Sequence, residues 1–386
     1  MNKTSSILVT GDFCPVNRTG SIILANKAQS LLNDFLPIVQ NAGLAITNLE
    51  CPLTEQGPGI TKIGPLLKAP TEAAKALSDW GFGLVTLANN HIMDYGLQGL
   101  TSTFSACMKY GIGHVGAGIN NTEARTIFYT RVGDYNLAIL NIAENEFSTT
   151  QGNYPGSNPM NAIENYRDIV RARTAADFVL VIVHGGHEMY DLPNIRIKNN
   201  LHFYAEAGAD VIIQHHAHCY SGYEVFNGVP IFYGLGNFVF DIPSKINSIW
   251  NYGYAVEITP GNNPLFRIIP YEQCNGEAGV KLLPETRQED FNDKLAYLNS
   301  VIERDDLLDL EFDKHCKRVR NMYNSLLEPH SVKLLHYMRN RGLFPTFLNK
   351  RKRTLYLNLF RCESHREIVV KLLEDSVKET EPKSRG

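Results

Sequence analysis

The feature that most constrains this fold is an alternation of short apolar runs with helix-like segments between residue 7 and about residue 240. Several runs, among them GLVTLANN, DFVLVIVHGG and DVIIQHH, are apolar at nearly every position, as expected of strands covered on both faces. Between the runs, TEAAKALSDWG offers Thr71 as an N-cap and Gly81 as the C-terminal stop of a helix. The pattern predicts an α/β layered domain.

The C-terminal part of the chain has a different pattern. Asn227-Gly228 predicts a β-hairpin in YEVFNGVPIFYGLGNFVFD, and a further β pair is expected around YAVEITPGNNPLFRIIPY. After about residue 285 the apolar residues take helical spacing: Phe291, Leu295, Leu298 and Ile302. We therefore expect one domain over residues 1–280 and a helical C-terminal extension over residues 281–386.

Charge and cysteine content limit the partner and the compartment. The 386 residues carry a formal net charge of -3, which indicates no chain-wide attraction to nucleic acid. The apolar run at residues 7–10 is too short for a signal-peptide core or a membrane span, and no later run reaches spanning length. The seven cysteines form no CxxC pair. We expect a cytoplasmic protein without a transmembrane segment or a nucleic-acid partner.

One segment near the C-terminus is strongly basic. Residues 339–366 contain eight Lys or Arg residues against one Glu. A solvated helical face would explain such a run. The alternative is a docking surface for an anionic polymer, or peripheral association with a membrane. Aromatic residues that favour this alternative are Phe344, Phe347, Tyr356 and Phe360.

Polar side chains follow five of the predicted strands. In an open α/β sheet, ligands collect beyond the carboxyl ends of the strands, so loops that are far apart in sequence can converge there. Carboxylate, amide and imidazole groups are together the ligand set of Mn, Fe, Zn or Co sites. Burying so many polar groups without a shared partner would cost roughly several kcal/mol. The residues concerned are Asp12, Glu50, Asn90, His91, His184, His215, His216 and His218.

The histidine cluster in IIQHHAH is the densest part of this set. His216 and His218 are two residues apart, so on an extended segment their side chains point to one side and that of His215 to the other. The spacing therefore predicts two metal ligands from the cluster and leaves His215 as a neighbour.

Ordered motifs across the first two thirds of the chain resemble the CapA family of capsule and poly-γ-glutamate biosynthesis proteins. The motifs are GD after the first strand, NLECPLT, LANNHIMDYGLQGL, GAGINNTEA, HGGHE, GADVIIQHHAH and GVPIFYGLGNFVFD. They cover roughly residues 5 to 260. That family is similar to the calcineurin-like metallophosphoesterases, which implies a four-layer α/β/β/α sandwich that holds two metal ions.

The resemblance also implies roles for individual residues. His91 would be the general acid that protonates the leaving oxygen, oriented by Asp94. The nucleophile would be a water activated by two divalent ions, Mn, Fe or Zn, and the substrate a phosphoester or a bond in an anionic polymer such as poly-γ-glutamate. The implied metal ligands are Asp12 and His218 on one ion, Asn90, His184 and His216 on the other, and Glu50 between them.

The sequence departs from the phosphoesterase pattern in its first and second loops. Asp12-Phe13-Cys14 stands where the phosphoesterases have Asp-x-His, so the first ion loses an imidazole unless the Cys14 thiolate replaces it. Glu50 stands in place of the bridging aspartate. A small buried core residue is the other interpretation of Cys14. These departures leave a second function open, that of a non-catalytic accessory protein that binds the polymer or capsule-synthesis proteins.

Overall fold

The computed structural model describes residues 4–55, 57–62, 64–326, 333–343, 345–361, 369 and 373. By its internal contacts the chain separates into two compact units, Met1–Asp309 and Leu310–Gly386. The predicted division between residues 280 and 281 falls within the last strand, Val280–Leu282, and it stays a prediction about domains.

The strands lie in the larger unit. In chain order they are β1 (Ile7–Cys14), β2 (Leu44–Leu49), β3 (Phe82–Thr86), β4 (Gly113–Val115), β5 (Ala117–Gly118), β6 (Phe128–Val132), β7 (Tyr135–Ala143), β8 (Gly156–Ser157), β9 (Phe178–His184), β10 (Val211–His215), β11 (Tyr223–Phe226), β12 (Val229–Phe232), β13 (Asn237–Phe240), β14 (Tyr252–Thr259), β15 (Leu265–Gln273) and β16 (Val280–Leu282).

Some helices lie between consecutive strands, and the others follow the last strand. They are α1 (Asn17–Leu24), α2 (Leu36–Asn41), α3 (Glu72–Trp80), α4 (Gly96–Lys109), α5 (Asn121–Ala124), α6 (Ala162–Ala175), α7 (Ile195–Glu206), α8 (Gln288–Ile302), α9 (Asp305–Leu326), α10 (Lys333–Asn340) and α11 (Lys350–Arg361). Short 3₁₀ turns cover Ala28–Leu31, Asn33–Phe35, Pro243–Lys245, Ile249–Asn251 and Glu285–Arg287.

Two large sheets form the centre of this unit. The first has the order β16-β15-β14-β1-β2-β3-β4, with β13 also paired to β1, and β1 to β4 run parallel. The second has the order β11-β12-β10-β9-β7-β6, in which β7, β9, β10 and β12 run parallel. Strands β5 and β8 form a small separate pair. Because the carboxyl ends of parallel strands lie at the same edge of a sheet, the loops that follow these strands meet at that edge.

Side-chain alternation explains the layers. Leu8 and Ala45 point into an apolar cluster that also contains Leu77 of α3. The neighbours on each strand, such as Val9, are equally buried and point to the other face. On that side the two sheets meet, with the ring of Phe232 in β12 centred 5.1 Å from that of Phe266 in β15.

Helices close the outer face of each sheet. Helices α3 and α4 contact β3 and β4 of the first sheet, and α6 and α7 contact β9 and β10 of the second. Strands β2, β9 and β10 are buried along their whole length, as their continuous apolar sequences predict. The expected four-layer α/β/β/α sandwich with helices at the C-terminal end is confirmed.

Most of the local predictions are confirmed. The β11–β12 turn has positive φ at Asn227 and Gly228 (52° and 86°), as the predicted tight hairpin requires. The four residues with helical spacing after residue 285 all lie on the buried face of α8. Thr71 is at the N-cap position of α3, as predicted, but its side chain makes no capping hydrogen bond. Thr71 already has helical dihedrals because the first turn starts at Pro70, whose carbonyl accepts from the amide of Ala73.

Two expectations concern membranes and surfaces. In the part of the chain that the structure describes, no helix is both long and apolar enough to cross a bilayer. Of the basic segment, Phe344 and residues 362–366 lie outside the described residues. Helix α11 carries exposed Leu355, Leu357 and Phe360 beside its basic residues. The docking role of this segment stays a prediction.

Candidate metal centre

The six predicted metal ligands lie at the carboxyl ends of five parallel strands. Each is at least nine tenths buried, although each is polar. The chain brings them in from β1, from the residue after β2, from the turn after β3, from the last residue of β9 and from the segment after β10. They are Asp12, Glu50, Asn90, His184, His216 and His218.

Five of these residues form two overlapping groups that share Glu50. One group is Glu50, His184 and His216, and the other is Asp12, Glu50 and His218. Within each group the ligand atoms all lie within 4.8 Å of one another. Oε1 of Glu50 is 3.6 Å from Nε2 of His184 and also 3.6 Å from Nε2 of His218. This is the arrangement in which one carboxylate can serve two ions.

Asn90 lies beside the first group. Its Oδ1 is 3.1 Å from Nε2 of His184, and Nδ1 of His216 is 3.0 Å from the same nitrogen. Together with Glu50, three polar atoms therefore face one ring nitrogen. A single N–H can satisfy only one of them, whereas a cation between the four atoms would be shared by all.

The hydrogen bonds of Asn237 fix the tautomer of His218. The amide nitrogen of Asn237 donates to the carbonyls of His218 and Trp250, so its Oδ1, 2.9 Å from Nδ1 of His218, accepts from the ring. Nε2 of His218 therefore carries a lone pair instead of a hydrogen, and this nitrogen faces Glu50. Both carboxylate oxygens of Glu50 are buried without a hydrogen-bond partner. Two acceptors that face each other across 3.6 Å fit a bound cation.

The pKa shifts of Asp12 and of the histidines also fit a metal site. Burial, followed by the nearby Asp12 carboxylate, raises the pKa of Glu50 well above its usual range. Burial opposes ionisation of Asp12, but the nearby imidazoles, His215 first, hold its pKa below the usual range. Burial lowers the pKa of His216 to about 4, and it also lowers the pKa of His218. The neutral imidazoles and the ionised Asp12 are in the protonation states that divalent metal binding needs, whereas a metal ion would have to displace the proton that burial favours on Glu50.

The prediction that His215 faces away from the site is wrong. Strand β10 ends at His215, and the chain then turns through positive φ at His216 (99°) and His218 (56°), so the alternation of an extended strand does not apply. Nδ1 of His215 lies 3.2 Å from Oδ1 of Asp12, and among the described residues His215 belongs to neither ligand group. His216 and His218 nevertheless both reach the site, because the turn brings each ring into one of the two groups.

Cys14 lies in the apolar core. It belongs to the cluster under the helices, as does Cys51, and within the described residues it belongs to neither ligand group. The backbone register of β1 shifts between Asp12 and Cys14, so the two side chains need not share a face. Burial, followed by the contact with Cys51, raises the pKa of the Cys14 thiol well above its usual range. These observations favour the core interpretation over that of a thiolate ligand.

The proposed general acid and its partner lie in contact. Nδ1 of His91 donates to Oδ2 of Asp94 at 2.7 Å, and both side chains are buried. The sequence analysis missed Lys62, whose Nζ lies 2.5 Å from Oδ1 of Asp94 and 3.2 Å from Nδ1 of His91. Lys62 comes from a loop rich in glycine and proline, without a strand to mark its position.

Two further site residues were also missed. The amide nitrogen of buried Asn48 donates to Oδ1 of Asp12 at 2.8 Å and lies 3.2 Å from Nδ1 of His184, so it joins the two groups. Oε1 of Glu146 lies 3.8 Å from Nε2 of His216. Glu146 follows strand β7, so the strand-end rule that found the other ligands could have found it.

Comparison with known proteins identifies the family. The family model described as "Bacterial capsule synthesis protein PGA_cap" matches residues 6–242, which is more than half of the chain. The PGA biosynthesis protein CapA of Bacillus subtilis (strain 168) is 34% identical over 218 residues, which is 55% of this chain and 57% of that protein. The capsule biosynthesis protein CapA of Bacillus anthracis is 30% identical over 251 residues, which is 62% and 61%. The chain thus matches less than two thirds of either relative.

Solved structures of low sequence identity are also similar. A phosphatase of Mycoplasma pneumoniae is 14% identical, with a TM-score of 0.43 over 76% of this chain and 99% of that one. A putative 5'-nucleotidase of Staphylococcus aureus is also 14% identical, with a TM-score of 0.40 over 75% and 58%. From the match over residues 6–242, the protein belongs to the family of bacterial capsule synthesis proteins PGA_cap, as its ordered motifs predict.

Proposed function

We propose that this protein is a metal-dependent hydrolase of capsule or poly-γ-glutamate metabolism, which acts on a phosphoester or on a bond in an anionic polymer. The observation that carries the proposal is Glu50. Its two oxygens are buried without a hydrogen-bond donor, and one of them lies between the Nε2 atoms of two histidines that belong to separate ligand groups. A buried carboxylate in that position is costly unless cations share it.

The residues have separate roles in this proposal. Asp12 and His218 would hold one divalent ion, Mn, Fe or Zn, and Glu50 would bridge to a second one held by Asn90, His184 and His216. When bound, the ions would supply a Lewis acid and an activated water at neutral pH.

The remaining step belongs to the His91 side chain. Because Nδ1 of His91 donates to Asp94, the proton that the ring gives up is carried on Nε2. Hydrolysis adds the hydroxyl group of water to the reacting centre, the bond to the leaving oxygen breaks, and the proton from His91 goes to that oxygen. The proton that the water loses passes to solvent, from which the His91 ring is protonated again. No side chain of the protein needs to act as a nucleophile.

Metal analysis and a His91→Ala variant test the proposal. The purified wild-type protein is expected to hold about two equivalents of Mn, Fe or Zn and to hydrolyse a generic phosphoester such as p-nitrophenyl phosphate. The His91→Ala variant should keep the metal and lose turnover by roughly 10²-fold or more. The matched control is His336→Ala, in the second compact unit, which should change neither quantity. Trace metal, with no turnover after metal is added, would refute the proposal.

The position of Cys14 favours a second candidate function. With Cys14 in the apolar core, one ligand group contains only Asp12, Glu50 and His218, without the imidazole that phosphoesterases carry in the first loop. A protein with this site could use the metal fold to bind an anionic polymer or capsule-synthesis proteins without turnover. Complementation of a deletion strain separates the two functions, because His91→Ala abolishes complementation if the protein is an enzyme and preserves it if the protein only binds.

A further inference from the structure

The loop between β2 and α3 brings a buried cation to the proposed general acid. Side chains of Lys62 and Asp94 are 4% and 0% exposed, and their charged atoms are 2.5 Å apart. Nζ of Lys62 also donates to the carbonyl of Asn90 at 3.2 Å. Residues 32 positions apart are therefore joined next to the predicted metal ligands. Lysine is rarely buried in this way unless it is paired.

The Asp94 carboxylate is held by three donors. Lys62 donates to Oδ1, while the His91 ring and the backbone amide of Leu67, the latter at 2.7 Å, both donate to Oδ2. Two of these donors, Lys62 and Leu67, come from the same loop. Without Lys62, one oxygen would lose its donor and the charge of the buried carboxylate would lose its nearest cation.

The base and the middle of the loop are also fixed. At the base, the amide of Thr54 donates to the carbonyl of Ala69, and the amide of Ala69 donates to the carbonyl of Pro52. In the middle, the amide of Ile60 donates to the carbonyl of Asp94 at 2.9 Å. The loop therefore contacts Asp94 through both its backbone and the Lys62 side chain.

We propose that Lys62 is a positioning residue of the active site, which fixes the Asp94 carboxylate and, through it, the His91 ring in the orientation that proton donation to the leaving group requires. This inference rests on the proposed hydrolase function. Lys62 acts through Asp94, and it also ties its own loop to the turn after β3. A residue that only stabilised the fold would lower the turnover of all substrates alike.

Two esters that differ in their need for an acid test the role of Lys62. Phenyl phosphate has a poor leaving group that must be protonated, whereas p-nitrophenyl phosphate has a good one that needs little help. In the metal-loaded protein, Lys62→Met is expected to lower kcat for phenyl phosphate by at least about tenfold more than for p-nitrophenyl phosphate. Lys62→Arg, which keeps the charge, should show a smaller difference between the two esters. Equal losses for both esters would overturn the proposal.

A control from the same loop is available. Lys68 is exposed, donates to the carbonyl of Glu55 at 2.9 Å and lies over the ring of Tyr95. Lys68→Met should change kcat for neither ester. Metal content and the far-UV circular dichroism spectrum of each variant are compared with those of the wild type. If Lys62→Met does not fold, Lys62→Gln replaces it, since glutamine keeps a donor of shorter reach and should give the same split between the esters.

Limited proteolysis of the metal-free protein provides a readout that does not depend on activity. Chymotrypsin is expected to cleave after Leu66 or Leu67 several-fold faster in Lys62→Met and Asp94→Asn than in the wild type and Lys68→Met, because the ion pair no longer holds the loop. Equal cleavage rates in all four proteins would overturn the inferred contact. If the loaded wild type hydrolysed neither ester, the proposed function would fall, and the digestion would still decide whether Lys62 and Asp94 hold the loop.

Discussion

Oδ1 of Asn237 accepts a hydrogen bond from Nδ1 of His218 over 2.9 Å, and this contact decides which nitrogen of the ring faces Glu50. Asn237 starts strand β13, whose backbone pairs with β1 at Asp12. One asparagine thus orients a ligand on the β10 side while its backbone is fixed beside a second ligand. The geometry of the metal position beside Asp12 and His218 therefore depends on the β1–β13 pairing as well as on the ligands.

Removing Asn237 should weaken metal binding without removing a ligand. In Asn237→Ala the His218 ring loses the acceptor that selects its tautomer, and we expect metal affinity to fall by about 10- to 100-fold. Isothermal titration calorimetry with Mn²⁺ or Zn²⁺ measures the change. The control is Asn262→Ala, on the exposed turn between β14 and β15. Wild-type affinity in Asn237→Ala would show that the ring orientation is set by other contacts.

Metal binding should stabilise the folded protein through Glu50. At a free metal concentration of 100 Kd, a single site adds about 2.7 kcal/mol to the free energy of unfolding. We expect removal of metal by a chelator to lower the Tm of the wild type. Glu50→Gln should show little gain from metal, and in the metal-free state it should unfold at no lower temperature than the wild type, because it removes a buried carboxylate that lacks a partner. Differential scanning calorimetry of the four samples measures both effects.

A full metal-dependent rise in the Tm of Glu50→Gln would count against Glu50 as a ligand that two ions share. A strongly reduced Tm of the metal-free variant would instead indicate that the carboxylate is stabilised by the protein alone. Neither result is compatible with two oxygens that have no donor in the folded chain.

The sequence predicts the layers and the ligands well because both follow from strand ends. Continuous apolar runs specify buried parallel strands, and parallel strands bring their C-terminal loops to one edge. Asp12, Glu50 and His184 could be found in this way, since each stands at the end of such a run. The rule depends only on sequence position and on the fold class.

The contacts that orient the ligands could not be predicted in the same way. Asn48 lies inside strand β2, where nothing in its neighbours distinguishes it from an ordinary buried amide. Lys62 is 32 residues from Asp94, and its pairing depends on the path of an irregular loop. His215 was assigned to the wrong side because strand alternation was applied beyond the end of β10, where the backbone takes positive φ. Such contacts follow from tertiary structure and not from periodicity.

Replacing Cys14 should separate its two interpretations. If Cys14 is a core residue, Cys14→Ala costs roughly 1 kcal/mol of unfolding free energy, and the metal stoichiometry stays unchanged. If the thiolate were a ligand, the variant would lose about one equivalent of metal or bind it far more weakly. Urea denaturation and elemental analysis of the same preparation measure both quantities. We expect Cys51→Ala, in the same apolar cluster, to behave like Cys14→Ala.

A methyl group at Gly11 should disrupt the strand that carries Asp12. A Cβ atom built on Gly11 would lie 2.0 Å from the carbonyl oxygen of Gly236 and 2.8 Å from the hydroxyl of Tyr271, both closer than contact allows. The same carbonyl accepts from the amide of Asp12 at 3.0 Å, so relief of the clash must move Asp12 away from β13. We expect Gly11→Ala to lower the free energy of unfolding by about 3 kcal/mol.

The metal affinity of Gly11→Ala should fall together with its stability, since Asp12 and Asn237 lie at the strand pairing that the methyl group opens. Gly261→Ala is the matched control, because a Cβ atom there meets no atom closer than 3.8 Å. Urea denaturation with and without metal measures both effects in both variants. A free energy of unfolding of Gly11→Ala within about 0.5 kcal/mol of the wild-type value would be inconsistent with a close approach of β1 to Gly236. Changes that small are typical of surface substitutions and are not expected at a buried backbone contact.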